Sequence, residues 1–333
     1  MHTLGSETLY LEGIPFSPVI DASGVRNFHG KGWWYHHLLK PFGLNFNGST
    51  FVSKTTTLNA RAGNMPLKPD GVTPCEWMPK CIHVNRRTGA AINAVGLSGP
   101  GMEFLLEQGF WQRWPEPFMI SIMSVADTPS QRLTEIVAMT RMLRDKKPEF
   151  KAPFGVQINF SCPNTGHDPT EFTDEVVPVL RAAKDEFDVP YIVKLSPGTP
   201  VTIARTIAVE PACAALCVFN TLPWNAASDE LRMSYFGTTT SPLEHRFGPK
   251  GRGGISGTPL HAMVTSWIKE ARATGIRKPI IGGGGITSPR TAKEVLDAGA
   301  DAISLGSIAF LAPTMVATTI DESIRYKRGL AYR

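Results

Sequence analysis

Residues 279–307 read PIIGGGGITSPRTAKEVLDAGADAISLGS. Two short apolar runs, Pro279 to Ile281 and Ala302 to Leu305, flank a stretch of helical periodicity, Ser288 to Ala298. That stretch opens on Ser288-Pro289, as a helix N-terminus should, because serine caps the free amides and proline has none to leave unpaired. Two strands joined by a helix lie parallel, and the same unit recurs upstream. Further runs occupy Pro18 to Ala22, Thr50 to Ser53, Pro117 to Met123, Phe154 to Phe160, Pro190 to Leu195 and Ala214 to Phe219. Helical stretches follow at Pro129 to Arg144, Thr173 to Glu186, Pro200 to Val209 and Pro259 to Thr274. Eight such strands close most naturally into a (β/α)8 TIM barrel, an α/β fold, and residues 1–333 show no repeat or linker that divides them. One domain is expected.

Two excursions break the spacing, Gly63 to Ala90 after the second strand and Leu222 to Gly253 after the sixth. Both follow strand C-termini, the end at which barrels build active sites, so they are expected to wall or roof a pocket. The glycines Gly282 to Gly285, together with Gly306-Ser307 after the eighth strand, present bare amides at helix N-termini, where the backbone approaches an anion closely. Gly253-Gly254-Ile255-Ser256-Gly257 reads as a third amide-rich turn. Together these loops point to a phosphate site.

Composition narrows the function. The 333 residues are 42% hydrophobic, enough for one large core, and the net charge of +5 comes from 34 basic and 29 acidic residues without a basic run. No nucleic-acid arm is present. The segment from Met1 to Phe16 lacks the apolar run of a signal or spanning helix, so a cytoplasmic protein without membrane attachment is expected. Five cysteines form no CxxC pair and are expected as thiols; Cys213 and Cys217, which a helical turn would bring together, are read as small core residues. No metal site is expected.

Gln157 to Asn164 runs off the fourth strand as QINFSCPN, the densest polar constellation in the chain. A thiol there, Cys162, becomes a base or nucleophile if cationic surroundings lower its pKa, and is otherwise structural. Lys54 and Lys194 end the second and fifth strands, and interior lysines call for anionic partners. Asn93, Asn159, Asn164 and Asn220, the last followed by Thr221, fall at strand ends or adjoining loops. Amides that converge match a ring alternating N–H and C=O groups, as a pyrimidinedione does, although asparagine also serves turns and caps.

Taken together, Asp21-Ala22-Ser23-Gly24, Ser53-Lys54-Thr55, Arg61-Ala62-Gly63-Asn64, Asn93 to Leu97, Asn159 to Asn164, Val193-Lys194, Asn220-Thr221 and the glycine turns resemble the dihydroorotate dehydrogenase family, from about Leu11 to Ala309. The resemblance implies an FMN-dependent oxidation of dihydroorotate to orotate in pyrimidine biosynthesis. A cysteine at position 162 looks like the cytosolic class 1 enzymes. By this likeness Cys162, beside Ser161, removes the C5 proton while hydride leaves C6 for flavin N5, and Lys194 balances charge on the reduced flavin. Lys54, Asn93, Gly96, Leu97, Asn159, Asn164, Asn220 and Thr221 hold the substrate. Ala22, Ser23, Gly24, Lys54, Thr55, Asn159, Lys194, Asn220, Gly254, Ser256, Gly283, Gly284, Gly285, Gly306 and Ser307 line the flavin. The family also implies a homodimer, an external electron acceptor and, in some members, a separate electron-transfer subunit. The chain departs from the family pattern in reading Met65-Pro66-Leu67-Lys68 after Asn64 and in carrying Asp21 where asparagine is common. Two other readings stay open, a flavin oxidoreductase of another dihydropyrimidine and a redox-silent phosphate-binding barrel.

Overall fold

The computed structural model describes residues 7–160 and 169–330. It opens on an antiparallel hairpin, β1 (Leu9–Leu11) and β2 (Ile14–Phe16), with Leu9 opposite Phe16. Beyond it come β3 (Val19–Asp21), β4 (Ile82–Asn85), β5 (Ala90–Asn93), β6 (Phe118–Ile122), β7 (Phe154–Asn159), β8 (Tyr191–Leu195) and β9 (Ala215–Val218). The last four are β10 (Leu222–Pro223), β11 (Gly254–Gly257), β12 (Ile280–Gly283) and β13 (Ala302–Leu305).

Seven of these form one parallel sheet in the order β3-β13-β12-β9-β8-β7-β6. Its two edges are joined by residues 50–56, through parallel bridges from Thr50 to Ile20, Val52 to Met119 and Thr56 to Ile122. The barrel is thus closed, with the second strand as its eighth member. The run from Thr50 to Ser53 was expected as a regular strand; it holds its place but not a continuous ladder. Its backbone bonds both neighbours, the Thr50 amide donating to Val19 at 2.8 Å and the Ser53 amide to Met119 at 3.0 Å, and the ladder breaks just beyond, where the Lys54 amide donates to the Asn27 carbonyl at 3.0 Å.

Strands β6 to β9 are buried along their whole length, which is why they read as mostly apolar runs, broken only by Ser121, Gln157, Asn159 and Lys194, rather than as alternation. At the N-terminal end Leu9, Leu11 and Phe16 pack on Ile20, Met119, Ile192 and Ile281 and plug the barrel. The opposite end is therefore the one left for a ligand.

The helices are α1 (Trp34–Leu39), α2 (Met102–Gln108), α3 (Pro129–Lys146), α4 (Pro169–Glu186), α5 (Val201–Val209), α6 (Asp229–Phe236) and α7 (Glu244–Phe247), of which α1 and α7 line the cavity and α6 packs on the cap. Then follow α8 (His261–Ala273), α9 (Pro289–Asp297), α10 (Ile308–Leu311) and α11 (Val316–Lys327). The five helices read from the sequence are α3, α4, α5, α8 and α9. The start of α9 is a reciprocal cap, in which Ser288 Oγ accepts from the Thr291 amide at 3.3 Å and Thr291 Oγ1 accepts from the Ser288 amide at 3.0 Å.

The two excursions fold into one structure. Strands β10, β11, β5 and β4 form an antiparallel sheet over the barrel mouth, pairing Leu222 with Ile255, Gly254 with Asn93 and Asn93 with Ile82. Residues 253–257, expected as a turn, supply β11 instead, because Ile255 fills an apolar layer with Ile92, Leu222, Trp224 and Leu260. Cys217 likewise lies on β9 and not on a helix, and Cys213 precedes that strand; both are buried. Cys75, Cys81, Cys213 and Cys217 are free thiols.

Candidate active site

The C-terminal ends of the barrel strands and the cap sheet enclose a cavity of about 1950 Å³. Every described residue singled out from the sequence lines it: Ala22, Ser23, Gly24, Lys54, Thr55, Asn93, Gly96, Leu97, Asn159, Lys194, Asn220, Thr221, Gly254, Ser256, Gly283, Gly284, Gly285, Gly306 and Ser307. Ser161, Cys162 and Asn164 lie outside the described residues. Asn93 reaches the cavity from the cap sheet, as the last residue of β5, so the site is built by barrel and cap jointly.

At one end stand the loops after β12 and β13. The amides of Gly284, Gly285, Gly306 and Ser307 find no acceptor among the described residues. Gly285 has φ +72, and a Cβ there would lie 2.6 Å from His261 Cβ; one on Gly306 would lie 2.9 Å from Ala22 Cβ. Only glycine keeps this backbone bare and close, the requirement of an anion cradle.

The floor carries two buried cations. Lys194, within β8, is deprived of water, which pushes its pKa down; of the described groups only the Cys217 thiol opposes this. Lys54 is pushed down to about 7 by burial, with Cys81 as a weak counterweight. Its ammonium bonds the Ser98 carbonyl and sits 4.6 Å from the Phe28 ring centre. Neither lysine has a carboxylate partner among the described residues, so an anionic ligand is what would satisfy them.

Between these features lie the amides. Asn220 Nδ2 donates to Asn159 Oδ1 at 3.2 Å, and Asn220 Oδ1 accepts from the Thr221 amide at 3.0 Å, which fixes both planes. The Thr221 hydroxyl also explains Gly254, where a Cβ would fall 2.1 Å from Oγ1. Sequence reasoning missed the support beneath. Ser23 Oγ and Thr55 Oγ1 are 2.7 Å apart, and Thr55 Oγ1 and Ser121 Oγ 2.9 Å. Ser121 is a hydroxyl in the middle of an apolar strand, and that oddity was the available signal. Asn64, held by the Ala94 carbonyl at 2.7 Å, also reaches the cavity.

These features define an α/β barrel whose cavity joins bare glycine-loop amides, two buried lysines and a fixed pair of side-chain amides. The comparisons give the family. The family model for dihydroorotate dehydrogenase matches residues 13–327, and the chain belongs to that family. It is an oxidoreductase of CH–CH bonds. The chain is 32% identical over 297 residues to the dihydroorotate dehydrogenase A (fumarate) of Lacticaseibacillus paracasei, covering 87% of each. It is 30% identical over 310 residues to the dihydroorotate dehydrogenase B (NAD(+)) catalytic subunit of Anoxybacillus flavithermus, covering 92% of this chain and 86% of that one. A DHODH of Eimeria tenella, solved in complex with ferulenol, superposes over 100% of this chain and 88% of its own with a TM-score of 0.68 at 21% identity, a likeness of fold. No helix among the described residues is long and apolar enough to cross a membrane.

Proposed function

We propose that this protein oxidises dihydroorotate to orotate with a bound FMN, the cysteine-base chemistry of class 1. The observation that carries the reading is the meeting of Lys54, Asn93, Asn159, Asn220 and Thr221 with Lys194 and the glycine loops in one cavity. Bound FMN would supply the two-electron acceptor, its phosphate on the amides of Gly284, Gly285, Gly306 and Ser307. Lys194 would offset negative charge on the reduced ring. The remaining work falls to the chain. Lys54 binds the substrate carboxylate, while the amides of Asn93, Asn159, Asn164 and Asn220 and the Thr221 hydroxyl match the ring's alternating donors and acceptors. Cys162 Sγ takes the C5 proton, with Ser161 beside it in sequence.

The same reading makes the enzyme cytoplasmic and homodimeric, with an electron acceptor, or an electron-transfer subunit, supplied from outside the chain. It is favoured over a dihydropyrimidine without a carboxylate by Lys54, whose charge such a ring leaves unanswered. An anaerobic visible spectrum tests it: dihydroorotate should bleach a flavin band and dihydrouracil should not. Cys162→Ala should keep the band and slow its bleaching by roughly 10²–10⁴. A flavin that dihydroorotate leaves oxidised refutes the substrate, and a colourless reconstituted protein refutes the cofactor.

A further inference from the structure

Gly284, Gly285 and Ile286 make no backbone hydrogen bond among the described residues. The two glycines both have positive φ, +133 and +72, and glycine gives up more conformational freedom than any other residue when it is fixed. A loop of this kind cannot hold one shape by itself, so its neighbours must supply it. A Cβ on Gly284 would lie 2.9 Å from Val264 Cγ2 and 3.1 Å from Leu260 Cβ, and one on Gly285 would lie 2.6 Å from His261 Cβ and 2.8 Å from the His261 backbone nitrogen. The loop is therefore laid on the first turn of α8. At its other end it runs into the Ser288 cap of α9.

His261 links those two helices. Its Nε2 lies 2.7 Å from Glu294 Oε2, on the second turn of α9, and Glu294 Oε1 accepts from Arg290 Nη1. The Glu294 carboxyl is held below its usual range, first by this bond, so it is an anion at neutral pH and the histidine is the donor. His261 Nδ1 is buried without a partner among the described residues, which leaves the Glu294 bond as the ring's one polar tie. Glu294 is 39% exposed, and a pair so placed adds little to overall stability. What it can set is local geometry. His261 does not line the cavity, so any effect on a ligand passes through the loop that rests on it.

We propose that His261 is a positioning residue for the anion cradle: tied to Glu294, it fixes α8 against α9 and so holds the bare amides of Gly284 and Gly285 in register for a phosphate. It rests on the flavin reading above.

The test compares FMN with riboflavin, which lacks the phosphate, by fluorescence titration of the full chain stripped of flavin, beside a thermal melt. His261→Ala and Glu294→Ala should each weaken FMN binding roughly threefold to tenfold, leave riboflavin affinity unchanged and move the melt little. Together they should cost no more than either alone, because they remove the same bond. His261→Gln, whose side-chain N–H can still meet the carboxylate, should restore most of the FMN affinity. A loss shared equally by FMN and riboflavin overturns the proposal, since the histidine would then serve only the fold. Unchanged FMN affinity in both alanine variants overturns it too. If the parent protein takes up neither flavin, the flavin reading fails by itself, and calorimetry with inorganic phosphate decides the cradle: binding weakened by His261→Ala upholds the positioning role, and equal binding overturns it.

Discussion

The Lys54 ammonium lies over the Phe28 ring, 4.6 Å from its centre, with only the Ser98 carbonyl as a hydrogen-bond partner among the described residues. A cation so placed is held by an aromatic face and one dipole, which do not replace the water it lost.

The pH dependence follows. Burial lowers the Lys54 pKa from 10.5 to about 7, so the charged form that attracts a carboxylate is present below that pH and is lost above it. The KM for dihydroorotate should be flat below about pH 7 and rise by up to about tenfold per unit above it. The sign for stability is separate: a folded-state pKa below the unfolded value penalises the fold at neutral pH, and the penalty fades as pH rises toward 10.5. Lys54→Met should therefore abolish tight substrate binding while stabilising the ligand-free protein by on the order of 2–4 kcal/mol. Urea melts and substrate titrations of the same variant check both halves.

The barrel was legible because its strands are buried on both faces and the loops after β12 and β13 are spelled in glycine, a residue whose reason is local. Lys54 was visible as a cation at a strand end, but its Phe28 and Ser98 neighbours were not, since only the closed barrel brings them near. The cap was legible as two long excursions and illegible as a sheet. Gly254 pairs with Asn93 across more than a hundred residues, and antiparallel pairing at that distance leaves no local pattern. The break in the second strand's ladder was hidden in the same way, because the Asn27 carbonyl that takes the Lys54 amide is brought near only by the folded barrel.

The glycine loops give a second prediction. A Cβ on Gly283 would meet Ser304 Cβ at 2.8 Å and Ser304 O at 3.0 Å, one strand away in the parallel ladder. Gly283→Val should push β12 from β13 at the cradle, weaken FMN binding at least tenfold and cost about 1–3 kcal/mol of stability. Flavin retention after gel filtration and a thermal melt with excess FMN measure the two effects.

The amide pair yields a third. Asn220 donates to Asn159 at 3.2 Å and accepts from the Thr221 amide. Asn220→Asp keeps the acceptor and replaces the donor with an oxygen, placing a negative charge against Asn159 Oδ1 and beside an anionic substrate. The expected result is a rise in dihydroorotate Kd of roughly tenfold to a hundredfold, about 1.5–3 kcal/mol. Equilibrium titration of substrate separates this from any change in the bleaching rate.

The fourth concerns Asp21, the last residue of β3, just before the cavity-lining Ala22 to Gly24. Its carboxylate is fully buried, pairs with Arg26 and accepts from Ser49 Oγ at 2.7 Å. Burial outweighs these partners and raises its pKa above the usual carboxylate range. Arg26 in turn sits among Phe46, Phe51 and Trp114, 5.2–5.6 Å from their ring centres. A pair in such surroundings contributes little net stability but is expensive to split. Asp21→Ala should cost about 3–5 kcal/mol, because it strands a buried guanidinium. The double variant Asp21→Ala with Arg26→Met should cost much less than the sum of its singles, with a coupling of about 2 kcal/mol or more in a double-mutant cycle. Additive losses in urea melts would show that the two side chains act separately and that the rings alone hold Arg26.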